Sequence, residues 1–163
     1  MSDKESGISQ NFHSNAEQEY KLLESSLVSG RELEAEQQRL LFLEKFPDFA
    51  LAHNDLGVIS HKFEKFENAG GCYREAVRLA PDNSTFRKNL ADFVYVIEHQ
   101  PEEAMPHYLE VIKSNPKDTE ALMMIGSLCL SLESKEEARN FFNLVLSIEP
   151  LNIDAKQALK DLS

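Results

Sequence analysis

The residues best able to do chemistry here are five histidines and two cysteines: His13, His53, His61, His99 and His107, with Cys72 and Cys129. Two histidines one turn apart on a helix can hold a metal ion between them. His53 and His61 are eight positions apart, about two turns, too far to ligate one ion directly. The cysteines lack metal-like or redox-like spacing and read as reduced, partly buried small apolar residues. Gly70-Gly71 is followed by Cys72 and Tyr73, not by the Lys-Ser/Thr of a phosphate-cradling loop. Neither HExxH nor GxSxG occurs. The carboxylates are scattered as on any solvated helix surface, and none stands out as a general acid or base. We expect no catalytic residue, no metal and no cofactor.

The elements that would carry a binding surface are helical. Of 163 residues, 42% are hydrophobic and 28% charged, enough for a packed core. Alternating β-branched runs are scarce, and Leu, Ala, Glu and Lys dominate. The formal net charge is −11, which repels phosphate backbones and anionic bilayers. Neither nucleic acid nor membrane is therefore an expected partner. The start, "MSDKESGISQ", has no apolar run of a secretory signal, so a cytoplasmic location is expected.

The chain repeats itself. Pro47, Pro81, Pro116 and Pro150 are separated by 34, 35 and 34 positions, as are Ala35, Ala69, Ala104 and Ala138. Leu22, Leu56, Leu90 and Ile125 form a third ladder, followed by small residues at Gly57, Ala91 and Gly126 but by Leu23 in the first copy. Tyr73, Tyr108 and Phe142 follow the alanines by four positions, where the first copy has Arg39. The single extra residue falls between Ala91 and Ala104, in or near "EHQPEE".

With this period and these ladders the sequence resembles the tetratricopeptide-repeat family, over roughly residues 16–152. The resemblance implies a right-handed all-α solenoid of helix–turn–helix units. We expect a flexible segment at 1–14 and one domain over 15–163. Its repeats would span 16–49, 50–83, 84–118 and 119–152, closed by a capping helix at 152–162. Helices are expected near 15–28, 31–46, 49–62, 66–79, 84–98, 101–114, 118–131, 135–148 and 152–162. Asp48, Asp118 and Asn152 are expected helix caps, and Ser134 with Glu137 forms a capping-box pattern.

The family also implies a function: a non-catalytic scaffold that binds a peptide or partner segment on a concave face built by the first helix of each repeat. The matching positions are Tyr20, Glu24 and Leu27; Asn54, Asp55, Val58 and His61; Lys88, Asn89, Asp92 and Tyr95; and Met123, Met124, Ser127 and Leu130. The clamp by which some family members grip carboxylate-terminated peptides needs several cations. Here Lys88 stands among Glu24, Asp55 and Asp92, so that clamp is not expected. An asparagine ladder is absent too, since its step reads Lys21, Asp55, Asn89 and Met124. Two other readings are open: a self-assembling element that pairs as a homo-oligomer, and an accessory segment that works beside a glycosyltransferase or methyltransferase.

Overall fold

The computed structural model describes residues 15–23 and 31–162. The expected segment at 1–14, and the candidates Glu24 and Leu27, lie outside them. Every regular element described is a helix: α1 (residues 15–23), α2 (Glu32–Lys45), α3 (Ala50–Lys62), α4 (Phe66–Leu79), α5 (Ser84–Val96), α6 (Pro101–Ser114), α7 (Thr119–Ser131), α8 (Lys135–Ile148) and α9 (Ile153–Asp161). From α2 onward, each lies within two residues of its expected bounds. The chain divides into two compact units, with the boundary between Pro81 and Asp82.

The proline ladder ends the even-numbered helices by a visible mechanism. A residue before proline is driven out of the α region, because the ring clashes with its backbone. Phe46, Ala80, Asn115 and Glu149 each precede a ladder proline and close α2, α4, α6 and α8 with ψ of 70°, 73°, 89° and 82°. The turns inside the pairs α3–α4, α5–α6 and α7–α8 use another device. Glu64, His99 and Glu133 adopt positive φ, at 57°, 57° and 62°. The extra residue is also located: the turn between α5 and α6 spans 97–100, against 63–65 and 132–134 in the other pairs.

Capping agrees only in part. Asp118 and Asn152 accept from the backbone N–H groups of Ala121 and Ala155, both at 2.9 Å. Asn83 does the same for Phe86 at 3.1 Å. Asp48 is not a cap; α3 begins after Phe49, which offers no side-chain acceptor. Ser134 sits at the start of α8 but makes no capping hydrogen bond.

The N-terminal unit is built on an aromatic cluster. Tyr20 packs against Phe42 and Phe49 with ring centroids 4.9 Å apart in both pairs, and Phe42 meets Phe46 at 4.8 Å. The buried stripe of α1 is Ala16 and Tyr20, continued by half-buried Leu23, so Leu22 points outward at 76% exposure and drops out of its ladder. Leu56, Leu90 and Ile125 keep to it, all buried. In the C-terminal unit α5 packs with α6, α7 with α8, α6 with α7, and α8 with α9. On α9 only Ala155 is fully buried, while Ile153 is exposed.

The small-residue ladder sits under the aromatic ladder. A Cβ added to Gly57 would stand 2.8 Å from the Tyr73 ring, and one added to Gly126 would stand 2.4 Å from Phe142. Glycine at these two positions is the room into which the ring of the next helix fits. In the first copy both partners change together. Leu23 replaces the glycine, and Arg39 replaces the ring and is wholly buried.

Candidate functional site

In the C-terminal unit the candidate face is made by α5 and α7. They run side by side in the same direction, because bonds join their starts and their ends. Near the start, Lys88 of α5 donates to Asp118, at 3.3 Å, and to Glu120. Near the end, the Tyr95 hydroxyl pairs with Ser131 Oγ at 2.8 Å. Between them Asn89 and Asp92 on α5, and Met123, Met124 and Ser127 on α7, are half-buried, and Leu130 is exposed at 37%. Asp92 accepts the hydroxyl of Tyr108 from α6. Burial raises the Asp92 pKa and outweighs the lowering from that hydrogen bond. Lys88 is therefore not a free cation. Two carboxylates hold it, and although burial opposes the charge, their hydrogen bonds and field keep its pKa above the usual lysine value.

In the N-terminal unit α1 and α3 also lie side by side. Tyr20 donates to Asp55 Oδ2 at 2.6 Å, and Arg39 of α2 stands 3.6 Å from the same oxygen. The guanidinium lies 5.7 Å from the Tyr20 ring centroid, while its Nη1 donates to the Ala35 carbonyl at 3.3 Å. Desolvation, aided by Asp55, pushes the Tyr20 hydroxyl far above its ordinary pKa, so it remains a donor at any accessible pH.

This placement corrects two of the sequence-derived candidates. Tyr20 and Asn54 were expected to face a ligand, but Tyr20 is 1% exposed and Asn54 5%. For Tyr20 the physical cause is the change at Arg39. A buried guanidinium needs a carboxylate and a polar partner, and Asp55 and Tyr20 supply them. Val58 is exposed and His61 half-buried, its ring edge-on to Phe66 at 5.8 Å. His53 has its Nε2 2.7 Å from the Pro47 carbonyl. Among the described residues, no three His, Cys, Asp or Glu gather as a metal site, and no helix is long and apolar enough to cross a membrane. The burial of Arg39 was the feature that sequence reading missed. Its signal was the simultaneous loss of glycine and aromatic in one copy.

Two models described as tetratricopeptide repeat match the sequence, one over residues 38–92 and one over 119–150, together just over half of the chain. The chain belongs to the tetratricopeptide-repeat family. Its fold is the all-α solenoid class of that family.

Among solved structures, this tetratricopeptide-repeat chain is similar to the first TPR of Spaghetti (RPAP3) bound to the HSP90 peptide SRMEEVD. Identity is 26% and the TM-score 0.63, over 69% of this chain and 89% of that one. It shares its fold, at 16% identity and a TM-score of 0.79, with MamA from Desulfovibrio magneticus RS-1, over 90% of this chain and 82% of that one. Among curated proteins it is 28% identical to the inactive peptidyl-prolyl cis-trans isomerase FKBP6 of Rattus norvegicus, over 80% of the chain. It spans 44% of that relative's length.

Proposed function

We propose that this tetratricopeptide-repeat chain is a non-catalytic protein-interaction scaffold that binds a peptide or partner segment along the first helices of its repeats. We read those repeats as 16–49, 50–83, 84–118 and 119–152 with a capping helix after them. The observation that carries the reading is the α5–α7 face: two parallel helices that present Tyr95, Met123, Met124 and Leu130 beside the polar Asn89 and Ser127. Flexible thioethers and an aromatic suit an apolar anchor, and amide and hydroxyl groups suit peptide backbone. Similarity to a Spaghetti domain bound to an HSP90 peptide supports a peptide as the ligand class.

The acidic carboxylate-terminated peptide of that relative is not the expected ligand. Lys88 is occupied by Asp118 and Glu120, and the chain carries a net charge of −11. A partner segment with apolar anchors and little negative charge fits better. The test is selection from a displayed library of twelve-residue peptides, followed by calorimetry with a selected peptide. Tyr95→Ala and Leu130→Ala should each weaken binding about tenfold, roughly 1.4 kcal/mol. Both variants should keep the native far-ultraviolet dichroism. Unchanged affinity in both would overturn the assignment, as would tight binding of SRMEEVD.

A further inference from the structure

A cleft of about 470 Å³ opens in the N-terminal unit between α2, α3 and α4, within the size range of ligand sites. Its lining shares no residue with the first-helix candidates above. The apolar part is Leu40 of α2, Leu56 of α3, and Gly71 and Cys72 of α4. Leu40 is 48% exposed. Glu67 and Glu75 border the cleft from α4 and Glu36 from α2, and no lysine or arginine lines it. Lys65 holds Glu36 at 2.6 and 2.8 Å, Arg78 holds Glu75 at 2.7 and 2.8 Å, and Glu67 is exposed in the first turn of α4.

Gly71 has no reason inside the molecule to be glycine. Gly57 and Gly126 lie beneath aromatic rings, but nothing stands within 4 Å of a Cβ placed on Gly71. It sits inside a regular helix, where glycine costs about 1 kcal/mol relative to alanine. What glycine provides there is bare backbone open to the close approach of another molecule.

We propose that this cleft is a docking site for an amphipathic, basic segment of a partner protein. An apolar side chain would lie over Gly71 between Leu40, Leu56 and Cys72, and a lysine or arginine beside it would face Glu67, since Glu36 and Glu75 are already held by Lys65 and Arg78. Charge complementarity commits the occupant: the rim bears carboxylates, and the whole chain repels acidic segments.

The test is a heteronuclear NMR titration of the full chain with an acetylated, amidated R-L-A-L-R peptide and its E-L-A-L-E counterpart. The basic peptide should shift amides of residues 67–75 with millimolar or tighter affinity, weaken at least threefold in 0.5 M salt, and outbind the acidic one at least tenfold. Gly71→Gln should melt no lower than the parent yet bind at least tenfold more weakly. Glu67→Gln should weaken binding of the basic peptide at least threefold. Several results would overturn the proposal: no shifts at millimolar peptide, equal binding of both peptides, shifts confined to α5 and α7, or full binding by Gly71→Gln. So would concentration-dependent self-association abolished by Gly71→Gln, which would make a second copy the occupant. Because the lining is separate, Tyr95→Ala should leave these shifts unchanged, so this proposal and the α5–α7 reading fail independently.

Discussion

Gly126 lies directly under the ring of Phe142, so closely that an added Cβ would meet the ring at 2.4 Å. Gly71 is also helical but faces open space. The two glycines therefore predict opposite signs for one substitution. Gly71→Ala should stabilise the protein by about 0.5–1 kcal/mol, the ordinary helix-propensity gain. Gly126→Ala should destabilise it by about 1–3 kcal/mol, because Phe142 is 1% exposed and has nowhere to move. Urea denaturation of both variants measures this, and the same sign in both would refute it.

The paired exchange of Gly and ring for Leu23 and Arg39 makes a second prediction. Asp55→Ala would leave Arg39, at 0% exposure, without its carboxylate, which costs about 3–5 kcal/mol. Arg39→Met is milder, since it removes the charge and keeps the volume, and Asp55, 15% exposed in its side chain, still accepts from Tyr20. Chemical denaturation should rank Asp55→Ala well below Arg39→Met. The reverse order would mean that the ion pair contributes little.

Much of this was legible beforehand because repeat ladders report on close packing. Only a proline fixed ψ at Phe46, Ala80, Asn115 and Glu149, and only a small residue fitted beneath Tyr73 and Phe142, so those positions located helices and their crossings. The first copy was read less well. Tyr20 and Asn54 were placed by analogy with intact repeats, but Arg39 reorganised its surroundings and buried Tyr20. Lys88 could be counted as a cation from sequence. Its capture by Asp118 and Glu120, 30 and 32 positions away, is a tertiary fact that a face-by-face reading does not contain. The cleft beside Gly71 was likewise invisible, since the sequence presents only a weak helical pair, Gly70-Gly71, of which Gly70 is buried.

Positive φ at the three turns gives a third prediction. Glu64, His99 and Glu133 hold a left-handed conformation that costs a non-glycine residue roughly 1 kcal/mol. Glu133→Gly and Glu64→Gly should therefore raise stability by up to about 1 kcal/mol, less the entropy glycine adds to the unfolded chain. Lower melting temperatures for both variants would show that the side chains contribute more than the strain.

Asp92 supplies the last prediction, on pH. Its surroundings raise its pKa, through burial first and the field of Glu120 also, against the opposing hydrogen bond from Tyr108 and the charge of Lys88. A carboxyl whose pKa is higher folded than unfolded binds its proton more tightly in the native state. This contribution to stability is therefore fully present below the unfolded pKa and is lost as pH rises through the folded one. Asp92→Asn removes the buried charge and keeps an oxygen that accepts from Tyr108. At pH 7 the variant should be as stable as the parent or more so, by up to about 1 kcal/mol. On going from pH 7 to pH 4 the parent should gain on the variant, closing that gap, as measured by urea midpoints at each pH. A gap that widens in acid would mean that Asp92 is held ionised by Tyr108 and Lys88, and that the hydrogen bond outweighs burial.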